Sequence, residues 1–447
     1  MQKLIAFQEM IMATSQKSHD ALDQSRDVIA IQAHAADGHL TISRSDRQIL
    51  RRLAGTVAEL AARPVEEEKQ KLWTQHNALE WTRPLVFCDP ENGWKEIITP
   101  DQIECENQLA RQWEMHLRKE IFWGTQMNDD YTIQPYFDIS HVHKALDWGL
   151  KETRIGGEDG GSFTWISPLK TQADIEKLHA PEIRIDDDAT ERLRLVAEEI
   201  FRDLMIVRVK TLWWWSLGMT RLLAELRGME QIMYDVYDNP DMLHRIMTIL
   251  RDGTLAMLDA LEEEGLLNHN TDGTYVGSGG LGWTNELSQP DFSGKVRCVD
   301  MWGFAESQET VGVSPDTFSE FVFPYQLPIL NRFGLNCYGC CEPLDLRWHI
   351  IKKIHNLRRV SVSPWADKEQ IAQMLGDKYI YSLKPNPVDL AMASFDEHRI
   401  RKELREVLAV TKNCHVEIIM KVNHTIRKDP QRVIRWVQIV REESESI

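Results

Sequence analysis

The stretch LNCYGCCEPL, residues 335–344, places Cys337, Cys340 and Cys341 within five positions and follows them with Glu342. Thiols crowded in this way bind a soft metal ion, act as nucleophiles, or fill a core. A disulfide framework is not expected, because seven cysteines are scattered over 447 residues and nothing points to secretion. The opening MQKLIAFQEMIMATSQKSHD lacks the order of basic start, apolar core and small-residue cleavage site that marks a signal peptide. No uncharged apolar run approaches the ~20 residues that cross a bilayer. The expectation is a cytoplasmic protein with reduced thiols.

Other reactive residue types recur at the ends of apolar runs. GFAESQ delivers Glu306, YGCCEP delivers Cys340 and Cys341, SPWAD delivers Ser363, Trp365 and Asp367, YSLKPNP delivers Lys384 and Asn386, and IIMKVNHT delivers Lys421, Asn423 and His424. Earlier, NTDGTYVG contains Asp272 and Tyr275. Zinc accepts thiolate, imidazole and carboxylate, and a catalytic zinc keeps three protein ligands and one open position. Glu306, Cys340 and His424, with Cys341 as competitor or addition, match that requirement. The same residue types also describe a buried thiol pair beside a structural glutamate and a capping histidine. Cys337 alternates away from the strand end and reads as core. Cys414 begins the last strand at the opposite end, and Cys88, Cys105 and Cys298 read as small buried hydrophobes.

The elements that must position these side chains follow from periodicity. Residues 1–78 read as an N-terminal helical extension; SDRQILRRLAGTVAELAARPVEEEKQKLW shows apolar residues at three- and four-residue spacing after a Ser/Asp start. Over 79–447, runs such as RPLVFCD, TIQPYFDI, MIVRVKTLWWW, GLLNHNTDG, VRCVDMWGF, GLNCYGC, RRVSVSPW, KYIYSLKP and HVEIIMKV alternate with helical stretches. That alternation predicts a parallel (β/α) barrel or an open doubly wound sheet. In a barrel, reactive groups gather at the C-terminal strand ends, where the residues above fall. GSGGLG, 277–282, reads as a flexible loop or lid. No phosphate-binding glycine motif is present.

Composition bounds the partners. The net charge of -17 argues against nucleic acid or an anionic membrane as the main partner, and 43% hydrophobic residues suffice for a large core.

The segments MWGFAESQETVGVSPDTFSEFVFPYQLPILNRFGLNCYGCCEPLD, VSPWADKEQIAQMLGDKYIYSLKPNP and MKVNHTIRKDPQRVIRWVQIVRE resemble the C-terminal half of the uroporphyrinogen decarboxylase superfamily, well over about 290–442 and more loosely upstream. The resemblance implies an α/β fold, a (β/α)₈ TIM barrel of uroporphyrinogen decarboxylase type, here with the helical extension. The arginine-rich substrate loop of true decarboxylases is missing; the corresponding region reads RPLVFCDPENGWKEI. The chain looks closer to the corrinoid (cobalamin)-dependent methyltransferase and O-demethylase branch, although Tyr338 stands where the histidine of a His-x-Cys zinc motif falls and the later cysteine is absent. The resemblance implies zinc at Glu306, Cys340, Cys341 and His424, a small-molecule methyl donor that could be methoxyaromatic, and a corrinoid carried on a partner protein, since no DxHxxG stretch is present. It also implies a homodimer. Trp214, Trp302, Trp365, Tyr275 and Asn386 are the expected substrate-binding residues. Two alternatives remain open: a metal-independent decarboxylase, with Asp272 as acid or charge stabiliser and Lys384 and Lys421 holding a carboxylate, and a non-catalytic corrinoid-interaction protein.

Overall fold

The computed structural model describes residues 40–156 and 163–445. The helices expected before residue 40 lie outside the described residues. The first described helix, Arg44–Ala61, starts where Ser43 Oγ accepts the Asp46 N–H, and its Leu50, Leu53, Ala54, Val57 and Leu60 are buried. Pro64 cannot continue that helix, so a second one, Pro64–Asn77, sets off in a new direction.

Among the described residues ten strands follow: β1 Leu85–Cys88, β2 Tyr136–Ile139, β3 Thr153–Gly156, β4 Phe163–Ile166, β5 Ile206–Val209, β6 Trp302–Ala305, β7 Leu335–Tyr338, β8 Leu357–Val362, β9 Ile380–Leu383 and β10 His415–Met420. Six form one sheet in the order β1-β10-β9-β8-β7-β6, and every pair in it is parallel. β2 and β5 form a second parallel pair. The chain is thus a mixed α/β protein, consistent with the expected barrel type. Among the described residues, no ladder joins the two-stranded pair to the six-stranded sheet. The segments flanking the pair are bonded to the sheet instead, from Asp130 N ahead of β2 to Val86 O of β1 (2.8 Å) and from Leu217 N beyond β5 to Phe304 O of β6 (3.0 Å). β3 and β4 form an antiparallel hairpin that the apolar patterning did not predict. GLLNHNTDG forms no strand; Asn268 donates to Leu266 O and Asp272 accepts from Thr274 N, both local turn contacts, while Asn270 donates to Trp302 O and accepts the Trp302 N–H.

The sheet is buried on both sides, as parallel sheets are, and every residue of β1, β6, β7, β9 and β10 is buried. Alternation still sorts the side chains. Tyr338, Val360 and Tyr381 join the main core beneath the helices, whereas Trp302, Phe304, Leu335 and Cys337 form a second cluster on the other face with Val276 and Cys340.

On that other face two segments close the structure. The end of helix Pro64–Asn77 inserts Trp73, His76 and Asn77, all buried. His76 Nε2 lies 3.3 Å from Glu417 Oε2, and Asn77 donates to the Leu281 and Trp283 carbonyls at 2.9 and 2.8 Å. The glycine segment that read as a lid is instead packed into the same space. Val276, Ser278 and Leu281 are buried, and Ser278 Oγ donates to Gly339 O at 2.7 Å. The correction has a physical reason: only residues without a Cβ fit a passage this narrow, and at Gly280 a Cβ would come within 2.3 Å of the Trp73 ring.

Candidate functional site: a thiol pair at the end of β7

β7 ends at Tyr338, and the chain turns sharply before Cys340 and Cys341. Gly339 makes the turn at φ +92°, where an L side chain is strained, and where a Cβ would also lie 2.5 Å from Leu344 Cδ1. The turn is held from several sides. Gly339 N donates to Ala305 O at 2.9 Å, Cys340 N donates to Glu342 Oε2 at 2.9 Å, and Ser361 Oγ donates to Cys340 O at 3.1 Å. So fixed, Cys340 and Cys341 bring their sulfurs to 3.6 Å. Cys340 is buried, while Cys341 keeps some exposure.

Lys421 leaves the end of β10 toward these thiols. Its Nζ stands 5.4 Å from the Tyr275 ring centre, 5.9 Å from that of Trp215 and 3.8 Å from Glu91 Oε1. Burial alone would lower its pKa, but Tyr275, Glu91 and the two cysteines outweigh burial and raise it well above the ordinary lysine value, so the ammonium stays charged. The Cys340 thiol is pushed well up by its contact with Cys341 and by burial, against the pull of Lys421. The Tyr275 hydroxyl is buried without a hydrogen-bond partner. Directly after Lys421, Val422 adopts φ 65°, a costly conformation for a β-branched residue.

The four expected zinc donors are not all brought together. Glu306 is buried and accepts from Gln308 N at 2.9 Å and from Ser216 Oγ at 3.2 Å. Burial, then the neighbouring Glu309 and Glu342, push its carboxyl well above the usual carboxylate range, which favours a neutral acid. His424 is exposed on the loop beyond Val422. Among the described residues, no group of three or more His, Cys, Asp or Glu is placed to hold a metal ion. The thiol pair by itself does suit one: two thiolates on a tetrahedral zinc, at about 2.3 Å each, stand about 3.8 Å apart, close to the 3.6 Å found.

The other expected residues scatter. Tyr275 and Lys421 are at the thiols. Lys384 lies deeper, donating to Ser382 Oγ at 2.5 Å in a layer with Glu417 and Arg359. Asp272 accepts from Lys210 at 2.9 Å and from Arg208 at 3.1 Å. Burial would raise its pKa, but Lys210, Thr274 and Arg208 hold it below the ordinary aspartate value, so it is a carboxylate and not an acid. Trp302 is buried in the second cluster, donating to Gly282 O at 3.0 Å, and offers no substrate wall. Trp214 packs edge-on against Phe333. Trp365 is exposed on the loop after β8. Asn386 accepts the Val388 N–H at the start of helix Val388–Ala391, as an Asx turn does. Cys337 is buried, as core placement requires.

Sequence reasoning assigned no role to Phe304 and Glu91, noted Glu342 only as the neighbour of the thiols, and chose Trp214 over Trp215. Trp215 packs edge-on against Phe304 at 5.4 Å and lies 5.9 Å from Lys421 Nζ. Its only signal was its place in the WWW run, where neighbours point to different sides.

No family model matches the chain, and no curated protein matches it. Solved structures that match include a methyltransferase from Methanosarcina mazei, 12% identical, with a TM-score of 0.48 over 84% of this chain and 98% of that chain. Neither the fold nor the chemistry argued for this chain rests on that likeness. No described helix is long and apolar enough to cross a membrane.

Proposed function

We propose that this chain is a methyl-transfer enzyme of the uroporphyrinogen decarboxylase type, with a barrel completed by the β2–β5 pair and its reaction centre at Cys340 and Cys341. The observation that carries the reading is the thiol pair, 3.6 Å between sulfurs, at the C-terminal end of a parallel strand beside a buried ammonium. The sequence resemblance over about 290–442 supplies the reaction class and the methyl acceptor, a corrinoid on a partner protein. Zinc held by Cys340 and Cys341 would supply Lewis acidity toward the heteroatom that bears the methyl group.

The remaining roles belong to the chain itself. Trp215, backed by the buried Phe304, and Tyr275 form an apolar aromatic wall that excludes water from a small methylated substrate. When the methyl group departs, the bonding electron pair stays on the substrate heteroatom and leaves it anionic. The Lys421 ammonium, which stays charged, stabilises that charge, the Tyr275 hydroxyl can donate a hydrogen bond to it, and solvent supplies the proton that completes the demethylated product. Asp272, an ionised carboxylate paired with Lys210 and Arg208, suits the charge-stabiliser role of the decarboxylase alternative and not the acid role.

Purified protein assayed with free cob(I)alamin against methoxylated aromatics, methylamines and methylated thiols tests the reading. Cys340→Ala should lose zinc and methyl transfer together. Lys421→Met should keep zinc and lose about 10²-fold in rate, the scale of one charge-stabilising donor. Methyl transfer unchanged in Cys340→Ala and Cys341→Ala alike would overturn the assignment.

A further inference from the structure

A cavity of about 730 Å³ opens between helix Gln108–Phe122, the end of β2 and the segment 95–103, and none of its lining residues is among those at the thiol pair. That volume lies within the range of small-molecule sites, about 300–1,000 Å³. Its wall is aromatic and aliphatic. Trp113 and Phe137 meet edge-on with ring centres 5.4 Å apart, and Ile98, Ile139 and Val142 extend the surface.

The polar groups in the lining are biased in sign. Lys95, Arg111 and Lys119 supply three cations. The acid among them, Asp138, is held by Arg208 through two hydrogen bonds of 2.6 and 2.7 Å, so its charge is compensated. His116 faces the cavity, edge-on to Phe137 at 5.7 Å. The surrounding protein, then Lys119, push its pKa down to about 4, and the neutral ring keeps one N–H to donate. Gln112 Oε1 is a buried acceptor with no hydrogen-bond partner. An apolar body fits the walls, an anionic group fits the cations, and a donor on that body fits Gln112.

We propose that this cavity binds an amphipathic organic anion, an apolar ring system carrying one acidic group, at a site separate from the thiol pair. The proposal does not rest on the methyl-transfer reading and stands or falls by binding alone.

The test uses the full chain and two fluorescent probes that differ by one sulfonate: 1-anilinonaphthalene-8-sulfonate, and the neutral N-phenyl-1-naphthylamine. The expected result is saturable binding of one sulfonate probe per chain, with the neutral probe about tenfold weaker, one ion pair's worth in a sheltered site. The double variant Lys119→Glu with Arg111→Glu should abolish that preference while leaving the neutral probe within about twofold. Ser140→Trp, which projects into the cavity, should block both probes, and Val142→Phe serves the same purpose if Ser140→Trp does not give a cooperative unfolding curve. Unsaturable binding, equal affinity for the two probes in the native chain, or undiminished binding in a folded cavity-filling variant would each refute the site.

Discussion

Lys384 and Lys421 follow neighbouring strands, β9 and β10, yet their environments drive them in opposite directions. Lys421 has Tyr275, Glu91 and two cysteines around it and is held charged. Lys384 is desolvated more than its partner Glu417 can offset, with Lys421 and Arg359 adding repulsion, and its pKa falls to about 8. Against an ordinary lysine near 10.4, that is roughly 3 kcal/mol of destabilisation while the group is charged. The unfolded chain binds the extra proton between pH 8 and about 10.4, so this lysine's contribution to stability rises with pH across that window. Wild type and Lys384→Met, compared by urea unfolding at pH 7 and pH 10, should therefore diverge by about 2 kcal/mol in favour of the wild type as pH rises. A difference that stays constant or moves the other way would place the ammonium in a better-solvated position. The sequence named both lysines because they end apolar runs. Their contrary states were illegible, since Glu91 and Glu417 are remote in the chain from the lysines they influence or, for Lys421, more than 300 positions away.

At the scale of elements, the parallel strands were readable because strands buried on both faces appear as unbroken apolar runs. The helix breaks were readable where proline interrupts the period, as at Pro64. The glycine segment was misread because a run of glycines looks the same in a mobile lid and in a passage pressed against an aromatic ring. What separates the two is the neighbour, here Trp73 from a helix about 200 positions earlier, and local sequence does not carry that. Two alanine substitutions make the difference measurable. Gly280→Ala puts a Cβ 2.3 Å from the Trp73 ring and 2.9 Å from Glu417 Oε2, and overpacking at a rigid contact should cost about 1–3 kcal/mol. Gly55→Ala, in helix Arg44–Ala61 with no atom within 4 Å of the added Cβ, should instead stabilise by about 0.5–1 kcal/mol. Guanidinium unfolding of both variants checks the contrast. A neutral Gly280→Ala would mean that the segment moves freely after all.

For the whole molecule, the sequence divides at residue 78 into a helical extension and a barrel, but the packing ties the end of that extension into the sheet's interior. Trp73 is fully buried and donates to Asp130 O at 2.7 Å, and Arg359 Nη2 donates to Asn77 Oδ1 at 2.7 Å. Arg359 also pairs with Glu417 at 3.0 Å, both side chains wholly buried. A buried pair of this kind is costly to leave half-satisfied, so helix Pro64–Asn77 supplies hydrogen bonds that the sheet lacks on its own. The residues expected as zinc donors behave in the converse way: though they align at strand ends in sequence, no three of them are grouped in space among the described residues, Glu306 turning to Gln308 and His424 lying beyond Val422. The consequence for stability is directional. Trp73→Ala should cost about 3–5 kcal/mol, the range for emptying a buried aromatic site. Trp365→Ala, on the exposed loop after β8, should change stability by less than about 0.5 kcal/mol. Both are measured by denaturant unfolding, with the midpoint and the slope recorded together. If Trp73→Ala were as mild as Trp365→Ala, the first 78 residues would be an appendage, and the interior of the sheet would have to satisfy Arg359 and Glu417 without them.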